Sequence, residues 1–480
     1  MEAPVYDLVV IGGGAGGLFS SSVASTLDAK TCMIEKDKLG GECTRFGCVP
    51  SKALLKSASV ARSFVRAAEY GLELPDGFAL STDRVMSHVR DVVKDIESHH
   101  PAEVFEGRGI KVLFGSPRFV DHGTIEVDGT VIKGKRFILC TGSSPVIPPI
   151  PGLAELDYLD NTTIFDLDEL PADLIVLGGG PIGLELGQAL TRLGVKVTVV
   201  EMAERVLIRE DVDVSRALND QLEKEGMTLL TGHKATAFRK ESGRAVAVLE
   251  DPDGNVVEVS AARVLVAVGR KPNLKGLELE KAGIEVERGQ LKVNEYLQTT
   301  NENVFACGDV VPPYQFSHVA AYEAMVCVRN ALFVNLPLVH QKVNYENIAW
   351  ATFTEPEIAH LGLTEAEARD RYNDDLQVFT TGYDASDRAT TDVEAEGFLK
   401  IITDSRDNLL GAHIVGAHAS ELIQGFLIAK SAGLGLSKVS QTLFIYPTLS
   451  ELVKKTAAKP LLERTKKPWL RYIMGMFKSV

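Results

Sequence analysis

An apolar run from Tyr6 to Ile11 gives way to Gly12-Gly13-Gly14-Ala15-Gly16-Gly17 and then to a helical pattern from Leu18 to Thr26. The same order returns at Leu174-Ile175-Val176-Leu177, with Gly178-Gly179-Gly180-Pro181-Ile182-Gly183 and a second helical pattern behind it. A strand, a glycine turn and a helix bring backbone N–H groups and a helix N-terminus against a pyrophosphate. In each copy the next strand ends in an acid, Glu35 after Thr31–Ile34 and Glu201 after Lys196–Val200, where a ribose hydroxyl would donate. One glycine run alone is a weak signal. Two complete units, starting 166 residues apart at Gly12 and Gly178, predict a doubly wound α/β chain with two dinucleotide sites. Gly12, Gly14, Gly17 and Glu35 would form the first, and Gly178, Gly180, Gly183 and Glu201 the second. An anion at Glu201 repels a 2′-phosphate and accepts from a 2′-hydroxyl, which favours NADH; Arg205 and Arg209 just downstream keep NADPH as the alternative.

Between the two units lies Gly40-Gly41-Glu42-Cys43-Thr44-Arg45-Phe46-Gly47-Cys48-Val49-Pro50-Ser51-Lys52. Two cysteines with four residues between them at the entrance of a helix read as a redox pair: Gly47 lets the backbone bend to disulfide distance, Pro50 is expected to start the helix, and a helix N-terminus favours thiolate. The remaining cysteines, Cys32, Cys140, Cys307 and Cys327, stand singly in apolar runs, a pattern suited to a reducing compartment. Further along come Phe137-Ile138-Leu139-Cys140-Thr141-Gly142, a proline-rich linker at Pro145, Pro148, Pro149 and Pro151, Gly269-Arg270-Lys271-Pro272-Asn273, and Thr299-Thr300-Asn301-Glu302-Asn303-Val304-Phe305-Ala306-Cys307-Gly308-Asp309. Helices are predicted over 49–70 and 82–106, and short strands with tight turns over 111–132.

Taken together these motifs resemble the pyridine nucleotide-disulfide oxidoreductases, the family of dihydrolipoamide dehydrogenase, glutathione reductase and mercuric reductase, along almost the whole chain. The resemblance implies two doubly wound nucleotide-binding domains and an α+β C-terminal dimerisation domain. It implies FAD-binding segments over 1–148 and 274–338, an NAD(P)-binding domain over 149–273 and a dimerisation domain over 339–480. By the same resemblance FAD is held by Gly12, Gly14, Gly17, Glu35, Gly142 and Asp309, the last accepting from the ribityl chain, and Gly269 marks the return to the first domain. Cys48 would lie next to the flavin, Cys43 would exchange with the substrate, and Lys52 would pair with Glu185 to stabilise charge developing on the flavin. The partner it implies is a second copy of the chain, each subunit completing the other's site.

One departure bears on the substrate. In the end segment Phe444-Ile445-Tyr446-Pro447-Thr448-Leu449-Ser450-Glu451, lipoamide dehydrogenase and glutathione reductase carry a histidine before the proline, held by the glutamate; here Tyr446 stands there. A phenol titrates about three units above an imidazole, so Tyr446 is a poor proton donor for a leaving thiolate. Glu451 is then expected to hydrogen-bond Tyr446 or to cap a helix. The predicted activity is an NAD(P)H-dependent flavoprotein oxidoreductase acting on a disulfide or other small electron acceptor. Two readings stay beside it: a mercuric-reductase-like metal-ion reductase, although no cysteine follows Cys327 and no CxxC domain is appended, and a redox-responsive flavoprotein with little turnover.

The formal net charge of −14 argues against nucleic acid as a partner. The amino terminus enters a strand directly and no apolar run spans a bilayer, so a cytoplasmic protein without a resident metal is expected. The segment 454–480 is basic, with Trp469, Leu470, Ile473, Met476 and Phe477 on one stripe after Pro468. It is read first as packing on the protein's own dimer and only second as contact with an anionic membrane surface.

Overall fold

Residues 3–73, 79–333, 336–373 and 375–476 are described by the computed structural model. Val5–Ile11 is the centre of the first sheet, parallel to Thr31–Glu35 on one side and to Thr130–Leu139 on the other, with Leu8 opposite Thr31 and Val10 opposite Ile138. Lys111–Phe114 extends this sheet beyond Thr31–Glu35, and Val304–Ala306 joins it along Thr130–Leu139. Leu8, Val9, Val10 and Ile11 are all buried, as strands covered on both faces must be. The helices Ala15–Thr26 and Ser317–Leu332 pack together on one of those faces. Thr130–Leu139 also runs out of the sheet to pair antiparallel with Thr124–Val127, which pairs with Pro117–Asp121.

The second unit is a four-stranded parallel sheet in the order Thr228–Thr231, Lys196–Glu201, Asp173–Leu177, Arg263–Val266. An antiparallel sheet of Lys234–Glu241, Arg244–Glu250 and Val256–Ala261 lies against it. The chain enters this unit through Ser143–Pro145 and leaves through Arg270–Pro272, and these two segments pair antiparallel with each other. The predicted proline linker thus starts from a two-stranded crossing that includes Pro145, with Pro148, Pro149 and Pro151 beyond it.

The third unit is a five-stranded antiparallel sheet in the order Ala349–Thr352, Glu357–Gly362, Leu409–Gly416, Phe398–Asp404, Leu376–Gly382. The helices Ala419–Ser431 and Glu451–Thr465 cover it, burying Leu399, Ile401, Ile414, Phe426, Leu452 and Val453 in one core. Each such side chain stabilises the fold by about 1.5–3 kcal/mol.

Several predicted boundaries move. The helix expected over 49–70 begins earlier, at Cys48, with Pro50 inside its first turn, and ends at Val65; Ala67–Tyr70 is a separate 3-10 turn closed by left-handed Gly71. The helix expected over 82–106 divides into Thr82–Glu97 and Ala102–Glu106, because Pro101 cannot continue a helix and disfavours it for His100. Glu357–Gly362 is a strand that alternation did not reveal, since it is buried through most of its length. Pro468–Met476 is helical as expected. Trp469 and Met476 are exposed on it, whereas the side chains of Leu470 and Ile473 and all of Phe477 lie outside the described residues. No described helix is long and apolar enough to cross a membrane.

Candidate active site

The first glycine turn is shaped by close backbone approach. Gly12 has φ +106°, and a Cβ there would sit 2.3 Å from the Cys140 carbonyl oxygen; one on Gly17 would sit 1.8 Å from the Gly12 oxygen. The carboxylate of Glu35 accepts from the Gly13 N–H at 2.6 Å and from the Asp37 N–H at 2.9 Å, so it fixes the turn while facing a cavity. That cavity, of about 560 Å³, runs from Glu35 past Gly14, Gly142 and Asp309 to Cys43 and Ser317. Its length, its glycine floor and its acid at one end fit an extended dinucleotide such as FAD. Asp309 is not a helix cap, because the next helix begins at Ser317; its carboxylate accepts from the Ser143 hydroxyl at 2.7 Å.

Cys43 lies in the short helix Gly41–Arg45, and Cys48 is the first residue of Cys48–Val65. Both are free thiols, Cys43 half-buried and Cys48 exposed, with the Cys48 sulfur 3.8 Å from the Ser317 hydroxyl. A hydrogen bond from the Cys48 thiol holds the Cys43 pKa down to about 6 against the opposing effect of burial. The same bond pushes Cys48 up, so the pair shares one proton and the charge rests on Cys43. One helical turn beyond Cys48, on the same face, Lys52 Nζ meets Glu185 Oε2 at 2.8 Å. The other oxygen of Glu185 accepts from the Phe353 N–H at 2.9 Å, and Lys52 lies 4.3 Å over the Phe353 ring.

A second cavity of about 530 Å³ is lined by Gly178, Gly180, Glu201, Lys234 and Gly269. A Cβ on Gly180 or Gly269 would meet nothing within 4 Å, so both leave room for a ligand backbone-close. Glu201 repeats the work of Glu35, accepting from Gly179 N–H at 2.6 Å and Ala203 N–H at 2.7 Å. Neither of the two arginines weighed for a 2′-phosphate is among the residues lining this cavity. Arg205 donates to the Leu207 and Ile208 carbonyls, and Arg209 stacks over Trp350 and Tyr314.

Tyr446 is mostly exposed, and its hydroxyl donates to Asp387 Oδ2 at 2.8 Å. The carboxylate beside it raises the phenol above its ordinary pKa. The expected Tyr446–Glu451 bond is therefore absent: Glu451 is the first residue of its helix, and its Oε2 is buried without a hydrogen-bond partner among the described residues. Within one chain neither residue lines the cysteine cavity.

Other contacts near the two cavities join residues whose pairing has no local sequence signal. Arg270, a lining residue of the second cavity, pairs with Glu42 beside Cys43, and Asn161 donates to that carboxylate at 2.7 Å. Cys140, Cys307 and Cys327, separate in sequence, cluster under Gly16; the Cys140 and Cys307 sulfurs are 3.4 Å apart. Adjacent parallel strands, with Leu139 opposite Ala306, create that pairing.

Comparison with known proteins agrees with this geometry. Residues 6–324 match the family model described as pyridine nucleotide-disulphide oxidoreductase, and residues 348–457 match its dimerisation domain. A mercuric reductase of Bacillus cereus is 36% identical over 453 residues, covering 94% of this chain and 70% of that protein. A dihydrolipoyl dehydrogenase of Bacillus subtilis is 34% identical over 473 residues, covering 95% and 98%. Among solved structures, the Cu(II) complex of the HOCl-induced flavoprotein disulfide reductase RclA from Escherichia coli superposes with a TM-score of 0.83 at 26% identity, covering 96% and 100%.

Proposed function

The chain belongs to the pyridine nucleotide-disulphide oxidoreductases, and on that premise we propose that it draws electrons from NADH and delivers them through FAD and the Cys43–Cys48 pair to a disulfide-type acceptor. The observation that carries this reading is Cys43 in the lining of the first cavity, hydrogen-bonded to Cys48, with the Lys52–Glu185 pair one helical turn beyond Cys48. FAD in the first cavity and a nicotinamide nucleotide in the second would supply hydride acceptance and two-electron transfer.

In the oxidised protein a sulfur–sulfur bond would join Cys43 and Cys48; two electrons and one proton break it and leave the thiolate–thiol pair described above. Cys43, carrying the charge, is the nucleophile. It attacks one sulfur of a disulfide acceptor, forming a mixed disulfide and expelling a thiolate. Cys48, losing its proton, then attacks the Cys43 sulfur, which releases the second thiol and restores the internal bond. Lys52 stabilises negative charge at the cavity mouth, and Glu185 holds it there. Glu201 selects NADH by repelling a 2′-phosphate.

The matched dimerisation domain supports a homodimer, in which we propose that Tyr446 faces the partner subunit's Cys43. Because the phenol proton is committed to Asp387, this group protonates an expelled thiolate poorly. That favours an acceptor needing little proton transfer, such as a thiolate-bound soft metal ion, as a second reading.

Anaerobic titration with NADH and NADPH, followed by lipoamide, glutathione disulfide and mercuric ion, tests both. A long-wavelength thiolate-to-flavin band, and fast reoxidation by one acceptor, is the expected result. Flavin reduction without that band, unchanged in Cys43→Ser, would overturn the proposal.

A further inference from the structure

Away from both cavities, where the second unit meets the C-terminal sheet, three potential metal ligands converge. His360 and His413 sit directly opposite each other on neighbouring strands, with their rings 4.6 Å apart and nearly perpendicular. Glu210, from the turn before the helix Val212–Lys224, reaches them from the nucleotide unit. One ligand atom from each lies within 4.8 Å of the others, and all three residues are buried.

Hydrogen bonding distinguishes this cluster from an ordinary polar contact. His360 Nε2 is bonded to the Gly362 carbonyl at 2.8 Å and His413 Nε2 to the Leu363 carbonyl at 3.0 Å. Each imidazole therefore donates its Nε2–H to the backbone, which leaves Nδ1 as its ligand atom, and His360 holds that nitrogen against Glu210; such a backbone bond fixes tautomer and ring orientation in metal-ligating histidines. His413 Nδ1 has no hydrogen-bond partner among the described residues although His413 is fully buried, and a buried polar atom left so is destabilising unless something binds there. The Trp350 indole N–H donates to Glu210 Oε1 at 2.6 Å and aims the other oxygen at His360 Nδ1, 2.8 Å away. The nearby Asp211 carboxylate lies 3.6 Å from His413 Nε2, on the side away from Nδ1, and is paired with Lys400 at 3.1 Å.

We propose that Glu210 Oε2, His360 Nδ1 and His413 Nδ1 form a structural site for a borderline divalent ion such as Zn(II), which ties the second nucleotide unit to the C-terminal sheet. Two nitrogens and one carboxylate oxygen are a donor set that suits such ions. The ion would replace the proton now between Glu210 and His360, which move apart by less than about an ångström while the cluster, spread over as much as 4.8 Å, closes on the His413 side to give bonds of about 2.0–2.2 Å.

The test uses the full-length FAD-loaded protein carrying Cys43→Ser and Cys48→Ser, so that the redox thiols take up no metal. It is produced with zinc supplementation and, separately, refolded with Zn(II), then dialysed and measured by plasma mass spectrometry. About one zinc per chain is expected, with near-complete loss in His413→Gln and about 10–100-fold weaker retention in Trp350→Phe, which keeps every ligand but loses the orienting donor. The visible flavin spectrum and near-ultraviolet circular dichroism report whether each variant has folded. Zinc below about a tenth of an ion per chain in both preparations, or equal zinc in folded His413→Gln, would overturn the proposal.

Discussion

Lys52 and Glu185, 133 residues apart in sequence, form an ion pair at 2.8 Å in which the acid is buried and the lysine is 37% exposed. Taking away the lysine leaves a buried carboxylate with one backbone donor. Lys52→Met is therefore expected to destabilise the protein by about 1–3 kcal/mol in denaturant unfolding. Glu185→Gln should fold, yet slow flavin reduction by NADH about tenfold or more in stopped-flow absorbance, because Lys52 loses its anchor. Unaltered reduction in both variants would remove the pair from the mechanism.

Cys43 is predicted to react first with iodoacetamide in the reduced protein, with a rate that rises through a half-maximum near pH 6. In Cys48→Ala the thiol that donates to Cys43 is gone, and the half-maximum should move up toward about 8.5. Peptide mapping of the alkylated protein checks which sulfur is labelled.

Replacing Tyr446 by histidine restores a group that titrates near neutrality. Tyr446→His is expected to raise turnover of lipoamide or glutathione disulfide by about tenfold or more, and to leave flavin reduction unchanged. Asp387→Asn should let the phenol of Tyr446 fall back toward its ordinary pKa in an ultraviolet titration.

Glu201 repels a 2′-phosphate at close range. The wild-type kcat/KM should favour NADH over NADPH by about 100-fold, and Glu201→Gln, which keeps an acceptor for Gly179, should narrow that ratio to about tenfold or less.

Glu323 is buried, accepting from Gly308 N–H at 2.7 Å and from the Tyr345 hydroxyl at 2.5 Å, and burial raises its pKa to about 8. A carboxyl raised in the folded state binds its proton more tightly there than when unfolded. Its contribution to stability is complete below about 4.5 and is lost as pH rises to about 8. Unfolding midpoints measured across that window should decline less in Glu323→Gln than in wild type.

The family, both glycine turns, their terminal acids and the redox cysteine segment were all readable along the chain, because each is a local requirement. Gly12 must admit a backbone oxygen at 2.3 Å from where a side chain would begin, and Cys43 and Cys48 must sit within one bend. Helix ends were read less well: the Thr82–Glu97 helix stops short of Pro101, and Glu357–Gly362, buried through most of its length, gave no alternation. Glu451 was expected either to hydrogen-bond Tyr446 or to cap a helix; its carboxylate is near enough to raise the pKa of the phenol, but the Tyr446 hydroxyl donates to Asp387, 59 residues earlier.

The sequence by itself determined the family, the two glycine turns with their terminal acids and the spacing of Cys43 and Cys48, since short-range backbone sterics and fixed spacing write those into neighbouring residues. Only the tertiary structure decided that Arg209 lies over Trp350 and Tyr314, that Arg270 meets Glu42 beside Cys43, and that Glu210 finds His360 and His413. Those meetings depend on which strands lie side by side and which loops close over them, and residues more than a hundred positions apart leave no local pattern that records it.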